Sequence, residues 1–202
     1  MLLNGCCHNP TGANLSKAQW DRIAELAGRK GFLPFVDIAY QGFGDGLDED
    51  AYGVRALAAK AGEMFIASSC SKNFAIYRER TGLAMTLSRD GDVAKRALEQ
   101  MKGLARVNHS MPPDHGAAIV RTILTDPELR SQWQTELDVM RERIATLRNK
   151  LAETFRARTN SDRYDFLAEH RGMFSLLGIS PEQVKQLRTD HAIYMVDDSR
   201  IN

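Results

Sequence analysis

The sequence predicts an α/β protein: a mainly parallel sheet with helices on both faces, followed by a smaller α+β portion. Three observations carry that prediction. As far as Ser88, short apolar runs alternate with stretches of helical periodicity. One run, Phe32 to Ala39, is almost continuously apolar, the pattern of a strand buried on both faces. From Val93 helical spacing takes over and leads into one long amphipathic stretch, beyond which strand and helix signals mix.

The elements follow in order. Met1-Leu2-Leu3 reads as a short strand running into a turn at Asn9-Pro10-Thr11-Gly12. Ser16-Lys17-Ala18-Gln19 has the spacing of a capping box. Trp20, Ile23, Ala24 and Ala27 then recur at helical intervals, and Gly31 sits where a C′ glycine ends a helix. Tyr52 to Ala61 reads as a helix, Met64 to Ser68 and Gly82 to Ser88 as strands, and Val93 to Leu104 and Gly116 to Leu124 as helices. After Asp126-Pro127, the residues Leu129, Trp133, Leu137, Met140, Ile144, Leu147, Leu151 and Phe155 step by three or four. A helix over about 127–156 would span ~45 Å. That length suits a connector between a first domain over 1–138 and a second over 139–202. The tail reads as strand Tyr164 to Leu167, strand Met173 to Leu177, helix Pro181 to Asp190 and strand Ile193 to Val196.

The 202 residues are 43% hydrophobic and 26% charged, which excludes a collagenous, low-complexity or mostly disordered chain. Lys and Arg number 27 against 26 Asp and Glu, a net charge of +1. So balanced a chain has no global electrostatic reason to seek nucleic acid or an anionic membrane. Its apolar runs are too short to span a bilayer, and its start lacks the basic and apolar regions of a signal peptide. A cytoplasmic location with Cys6, Cys7 and Cys70 reduced is the expectation. Cys6, Cys7 and His8 are too crowded to share one zinc ion and no second ligand pair follows, so no metal site is expected.

Two neighbourhoods are chemically unusual. Ser68-Ser69-Cys70-Ser71-Lys72 places a lysine just past a buried strand among small hydroxyl residues. It reads either as a solvated strand-end lysine or as a Schiff-base lysine, with Ser hydroxyls and Arg80 holding a phosphate. Asp37 stands inside Phe35-Val36-Asp37-Ile38-Ala39, against apolar neighbours, where a carboxylate needs a cationic partner. That partner is either a structural ion pair or the protonated ring nitrogen of pyridoxal phosphate. Tyr40 would follow at the strand's C-terminal end, where α/β sheets place ligands, and Asn9 in its turn could hydrogen-bond the same ligand.

Four segments, taken together, resemble the aspartate/aromatic amino acid aminotransferase family of fold-type-I pyridoxal-phosphate enzymes. They are Cys7-His8-Asn9-Pro10-Thr11-Gly12, Asp37-Ile38-Ala39-Tyr40-Gln41-Gly42-Phe43, Ser69-Cys70-Ser71-Lys72-Asn73-Phe74 and Tyr77-Arg78-Glu79-Arg80-Thr81-Gly82. The likeness continues through Pro112-Pro113 and Gly172-Met173-Phe174-Ser175 to Ser199-Arg200-Ile201-Asn202. It implies part of that family's large cofactor-binding domain followed by part of its small domain. It also implies roles. Lys72 forms the Schiff base with pyridoxal 5′-phosphate and shuttles the proton. Asp37 pairs with the pyridinium nitrogen. Asn9 and Tyr40 bond the phenolic oxygen, and Ser69, Ser71 and Arg80 hold the phosphate. Arg200 grips the substrate α-carboxylate, for which its planar fork is suited. Arg106 reaches into a neighbouring subunit for the side-chain carboxylate, so a homodimer is implied.

The implied reaction is transamination between an L-amino acid, aspartate or aromatic, and a 2-oxo acid such as 2-oxoglutarate. Tyr52 and Met111 tilt the resemblance toward aromatic-accepting members. Two other readings stand beside it: β-lyase chemistry on the same fold, and a truncated, inactive remnant. The second arises because the family's Gly-rich phosphate loop, cofactor-stacking aromatic ring and closing C-terminal elements have no counterpart in these residues. An internal fragment with cut edges and poor solubility is the corresponding expectation.

Overall fold

The structure is a computed structural model describing residues 1–202. Three strands, β1 (Leu2–Asn4), β2 (Phe35–Ile38) and β3 (Met64–Ser69), pair in parallel, and β4 (Gly82–Leu87) adds antiparallel to β3, in the order β1-β2-β3-β4. Each parallel step is spanned by a helix, α1 (Lys17–Lys30) and then α2 (Tyr52–Lys60). Only a short 3-10 turn at Tyr77–Glu79 lies between β3 and β4. Without a crossover helix the chain cannot return to start a parallel strand, so β4 runs backward.

Local chemistry sets these elements. Ser16 Oγ accepts the Gln19 N–H and Gln19 Oε1 accepts the Ser16 N–H, so the expected capping box opens α1. Gly31, at φ +67°, ends it in the left-handed region. The buried stripe Trp20, Ala24 and Ala27 meets Leu57 of α2, Ala61 just after it, and Leu3, Val36 and Met64 of the sheet, forming one core. Both crossover helices therefore cover the same sheet face. β2, expected to be buried on both faces, is buried on one. Val36 and Ile38 point into the core, whereas Phe35 and Asp37 lie exposed on the opposite face.

α3 (Gly91–His109) and α4 (His115–Thr125) extend beyond the sequence expectation and lead to α5 (Pro127–Thr159), 33 residues long. Asp126 caps α5 by accepting the Glu128 and Leu129 N–H groups, with Pro127 in its first turn. α5 serves two cores. Leu137, with Trp133 and Ile144, packs against Cys6, Cys7, Ile38, Tyr40 and Phe43. Further along, Leu151, Ala152 and Phe155 pack against Leu167, Leu177 and Ile201.

The tail departs most from expectation. Tyr164 to Leu167 is not a strand; a short helix, α6 (Phe166–Glu169), forms there. β5 is limited to Ser175–Leu176, and α7 (Pro181–His191) forms where the sequence predicts a helix over Pro181 to Asp190; the structure adds a capping box of Ser180 and Gln183 at its start. Ile193 to Val196 joins no sheet. The partner of β5 is β6 (Arg200–Ile201), antiparallel, with Leu176 opposite Arg200. Ser199 fixes this choice. It is buried at φ +66°, its carbonyl accepts the Leu177 N–H, and its hydroxyl accepts the Gly178 N–H.

Candidate active site

The three parallel strands end at one edge, and each feeds a loop with a site residue: Asn9 after β1, Tyr40 after β2 and Lys72 after β3. Asn9 precedes a cis peptide bond to Pro10. Its Nδ2 donates to the Tyr40 hydroxyl at 3.3 Å, and Tyr40 is otherwise buried. From the far end of the chain, Arg200 donates through Nη1 to Asn9 Oδ1 at 3.2 Å. Lys72 Nζ lies 4.7 Å from the centre of the Tyr40 ring. Asn9, Tyr40, Lys72 and Arg200, separated by up to 191 positions, thus form one cluster. Arg200 also borders a cavity of about 470 Å³, shared with Phe174, Tyr194 and Met195.

Asp37 is close by in the chain, but its environment corrects the expectation of apolar burial. It is exposed on the open sheet face, in register with Asn4 and Ala67, and is in no ion pair. Beyond β3, Ser69 Oγ donates to Ser71 Oγ at 3.1 Å and accepts the Ser71 N–H at 3.2 Å. Arg80 adopts a left-handed backbone at φ +51°, two residues before Gly82, which pairs with Ser69; its Nη1 donates to the Tyr77 carbonyl. Arg106 lies on exposed α3 and takes part in none of these contacts.

Several groups that hold the site were not singled out from sequence. Phe174 meets the Tyr40 ring edge-on, 6.1 Å between centres, and lies 5.3 Å from the Arg200 guanidinium carbon. Asp50 fixes the loop after Tyr40 by accepting the N–H groups of Gly42, Gly44 and Asp45 at 2.8–2.9 Å. Burial raises its pKa from the usual carboxylate value. Asn73 ties the Lys72 loop to its neighbour by donating to the Gln41 carbonyl, while its own carbonyl accepts the Trp133 Nε1–H. Phe74 stacks on Trp133 at 4.4 Å. Arg148 could have been noticed, since it interrupts the i, i+4 row of Ile144 and Ala152. Nothing local in the sequence marks Asp50 as a loop clamp.

All three cysteines are free, Cys6 and Cys7 buried and Cys70 half-buried. The Cys6 and Cys7 thiols and the Asp50 carboxylate lie within 4.8 Å of one another, all buried. A hydrogen bond with the Cys7 thiol and burial push the Cys6 thiol far above its ordinary range, so it stays protonated. Burial also raises Cys70.

The donor set fits pyridoxal phosphate: an amine at a strand end, a carboxylate with no cation, a phenol bonded to an amide, and two adjacent hydroxyls, with an arginine two residues before the strand that pairs with theirs. Comparison with known proteins points the same way. The chain is 54% identical to an aromatic-amino-acid aminotransferase of Paracoccus denitrificans and 44% identical to an aspartate aminotransferase of Escherichia coli, in each case over all of this chain and 51% of the relative. A solved aromatic amino acid aminotransferase with 3-indolebutyric acid superposes with a TM-score of 0.97 at 55% identity, over 100% of this chain and 51% of that one. Another, from Burkholderia pseudomallei and covalently bound to pyridoxal phosphate, gives 0.93 at 45%, over 99% and 50%. The chain therefore spans about half the length of the relatives it matches. Because the family model for aminotransferase class I and II matches residues 1–202 throughout, the chain belongs to that family.

Proposed function

We propose that the chain carries the lysine and α-carboxylate side of a pyridoxal-phosphate-dependent aminotransferase site. The reaction is transamination between an aspartate or aromatic L-amino acid and a 2-oxo acid such as 2-oxoglutarate. The observation that carries this reading is the connected set Arg200–Asn9–Tyr40, with the Lys72 amine against the Tyr40 ring. When bound, pyridoxal phosphate supplies an aldehyde that condenses with amines and a ring that takes up electrons from the substrate α-carbon.

The chain's own residues do the rest. Lys72 carries the amine that anchors the cofactor and, once freed, moves a proton to and from the α-carbon. Asp37, free of other cations, holds a proton on the ring nitrogen. Asn9 and Tyr40 donate to the phenolic oxygen. Ser69, Ser71 and Arg80 bind the phosphate; the Tyr77 carbonyl takes only one of the five N–H donors of Arg80. Arg200 presents its fork to the α-carboxylate, its plane steadied by Phe174 and its Nη1 by Asn9. Arg106 acts in a second subunit of a homodimer. We keep the division into a large-domain part, 1–138, and a small-domain part, 139–202, as a proposal; the core around Leu137 also takes in Ile144, Met173 and Phe174 from beyond residue 138. No helix is long and apolar enough to cross a membrane, and a cytoplasmic setting is the reading we adopt.

The test is borohydride reduction of the chain with pyridoxal phosphate, followed by peptide mass mapping. Modification at Lys72 alone, abolished in Lys72→Ala and accompanied by a spectral response to L-tyrosine or L-aspartate, is the expected result. Labelling scattered over surface lysines, unchanged by Lys72→Ala, overturns the proposal for this chain.

A further inference from the structure

Arg148 is the one buried arginine in the chain, at 9% exposure within α5, and it forms no ion pair with a carboxylate. Its donors are instead spent on one short segment. Nε donates to the Gly172 carbonyl at 2.9 Å. Nη1 donates to the Ser175 hydroxyl at 2.7 Å and the Leu167 carbonyl at 3.3 Å. Nη2 donates to the carbonyls of Arg171, at 3.4 Å, and Phe174. Burying a cation without a counter-charge is costly, and the row it occupies, between Ile144 and Ala152, would take an apolar residue. The residue must therefore do something an apolar side chain cannot.

What it holds suggests what that is. The segment from Leu167 to Ser175 carries Phe174, which touches both Tyr40 and Arg200. The same segment grips the turn that carries Asn9. The Arg171 N–H donates to the Gly12 carbonyl at 2.9 Å, and His170 Nδ1 bonds the Thr11 carbonyl at 3.0 Å. The junction is tight: a Cβ at Gly12 (φ +77°) would stand 2.3 Å from the Phe174 oxygen and 3.0 Å from Arg148 Nη2. Asn9 and Phe174 are two partners of Arg200, and Arg148 sits where their supports meet.

We propose that Arg148 is a positioning residue that sets the spacing of Asn9 and Phe174 around Arg200, and through it the grip on a substrate carboxylate. The carboxylate part rests on the function proposed above. A lysine, with one point charge and no planar fork, cannot hold carbonyls on both sides of the segment at once.

Three variants of the 202-residue chain test this: Arg148→Lys, Arg148→Met and the milder Ser175→Ala, which removes one acceptor and leaves the arginine. Hydrogen exchange read by mass spectrometry follows residues 8–14 and 167–176, with β1–β3 as internal reference. Calorimetric titration with 3-indolepropionate, in the presence of pyridoxal phosphate, reads the carboxylate site. The expected result for Arg148→Lys is about tenfold faster exchange in both segments with the strands unchanged, and about tenfold weaker 3-indolepropionate binding. Ser175→Ala should show the same pattern at smaller amplitude. Unchanged exchange at 8–14 in Arg148→Lys, or acceleration spread evenly over the chain, overturns the proposal. If the unaltered chain takes up no 3-indolepropionate, the carboxylate reading fails, while the exchange pattern still decides whether Arg148 couples the two segments.

Discussion

The imidazole of His170 lies at the junction between the Asn9 turn and the distal segment, bonded to the Thr11 carbonyl near Arg148. Burial pulls its pKa below the ordinary 6.5, and the Arg148 charge adds to that; the Thr11 hydrogen bond and Glu169 oppose it. On acidification the unfolded chain therefore takes up the proton first. Stability from this residue is complete above pH 6.5, falls as the pH drops from there through the folded value, and levels off below it. His170→Gln should remove that dependence. The difference in urea midpoint between the original chain and the variant is expected to change between about pH 7 and pH 5 and to be flat above. A difference that is constant over the whole range would show that His170 is not the group responsible. At this scale the sequence was informative where chemistry is local. Asn9, Tyr40 and Lys72 all come to one place because parallel strands end at one edge. Asp37 was misread because the single acid in an apolar run was taken to share its burial, whereas the period-2 alternation turns it outward with Phe35.

Among the elements, α5 has the most to lose from a single change. Leu137 is 1% exposed, and its side chain packs so closely on Gly42 that a Cβ there would come within 2.5 Å. Leu137→Ala is expected to cost about 3 kcal/mol, since the cavity would open between a helix and a loop that Asp50 already holds rigid. Leu147→Ala, on the same helix but 54% exposed, should cost less than about 0.5 kcal/mol. Chemical denaturation of the two variants side by side measures the contrast, and equal losses would mean that α5 is not anchored through Leu137. The helices were legible because their starts are written in a few residues: Ser16 with Gln19, Asp126 with Pro127, and Pro181. The short tail strands were not, because a two-residue strand is defined by its partner. β5 found Arg200–Ile201, which Ser199 holds in place, and left the more apolar Ile193 to Val196 unpaired.

For the whole molecule, surface area is the informative quantity. A compact monomer of this mass should expose about 9,500 Å²; the chain exposes 13197 Å². The excess is on the order of what an obligate interface buries. Part of it is the sheet face away from α1 and α2, where Leu2, Phe35 and Phe65 are 66%, 43% and 40% exposed and Phe35 meets Phe65 edge-on in register across β2 and β3. Part is α3, which buries none of its residues and exposes Leu98, Leu104 and Val107. Apolar surface of this extent drives association, and a sheet face that nothing covers is a template for it. The purified chain is therefore expected to associate in a concentration-dependent way over the micromolar range in sedimentation velocity. The double variant Phe35→Thr, Phe65→Thr keeps β-propensity and removes exposed rings without touching the core of Leu3, Val36 and Met64. It should shift the distribution toward monomer while the circular dichroism spectrum stays the same. Monomeric sedimentation of the unaltered chain at all concentrations would mean that this face is not sticky in solution. Persistent association of the double variant would instead assign the contact to α3, where Val107→Lys, at 84% exposure, is the next substitution to make.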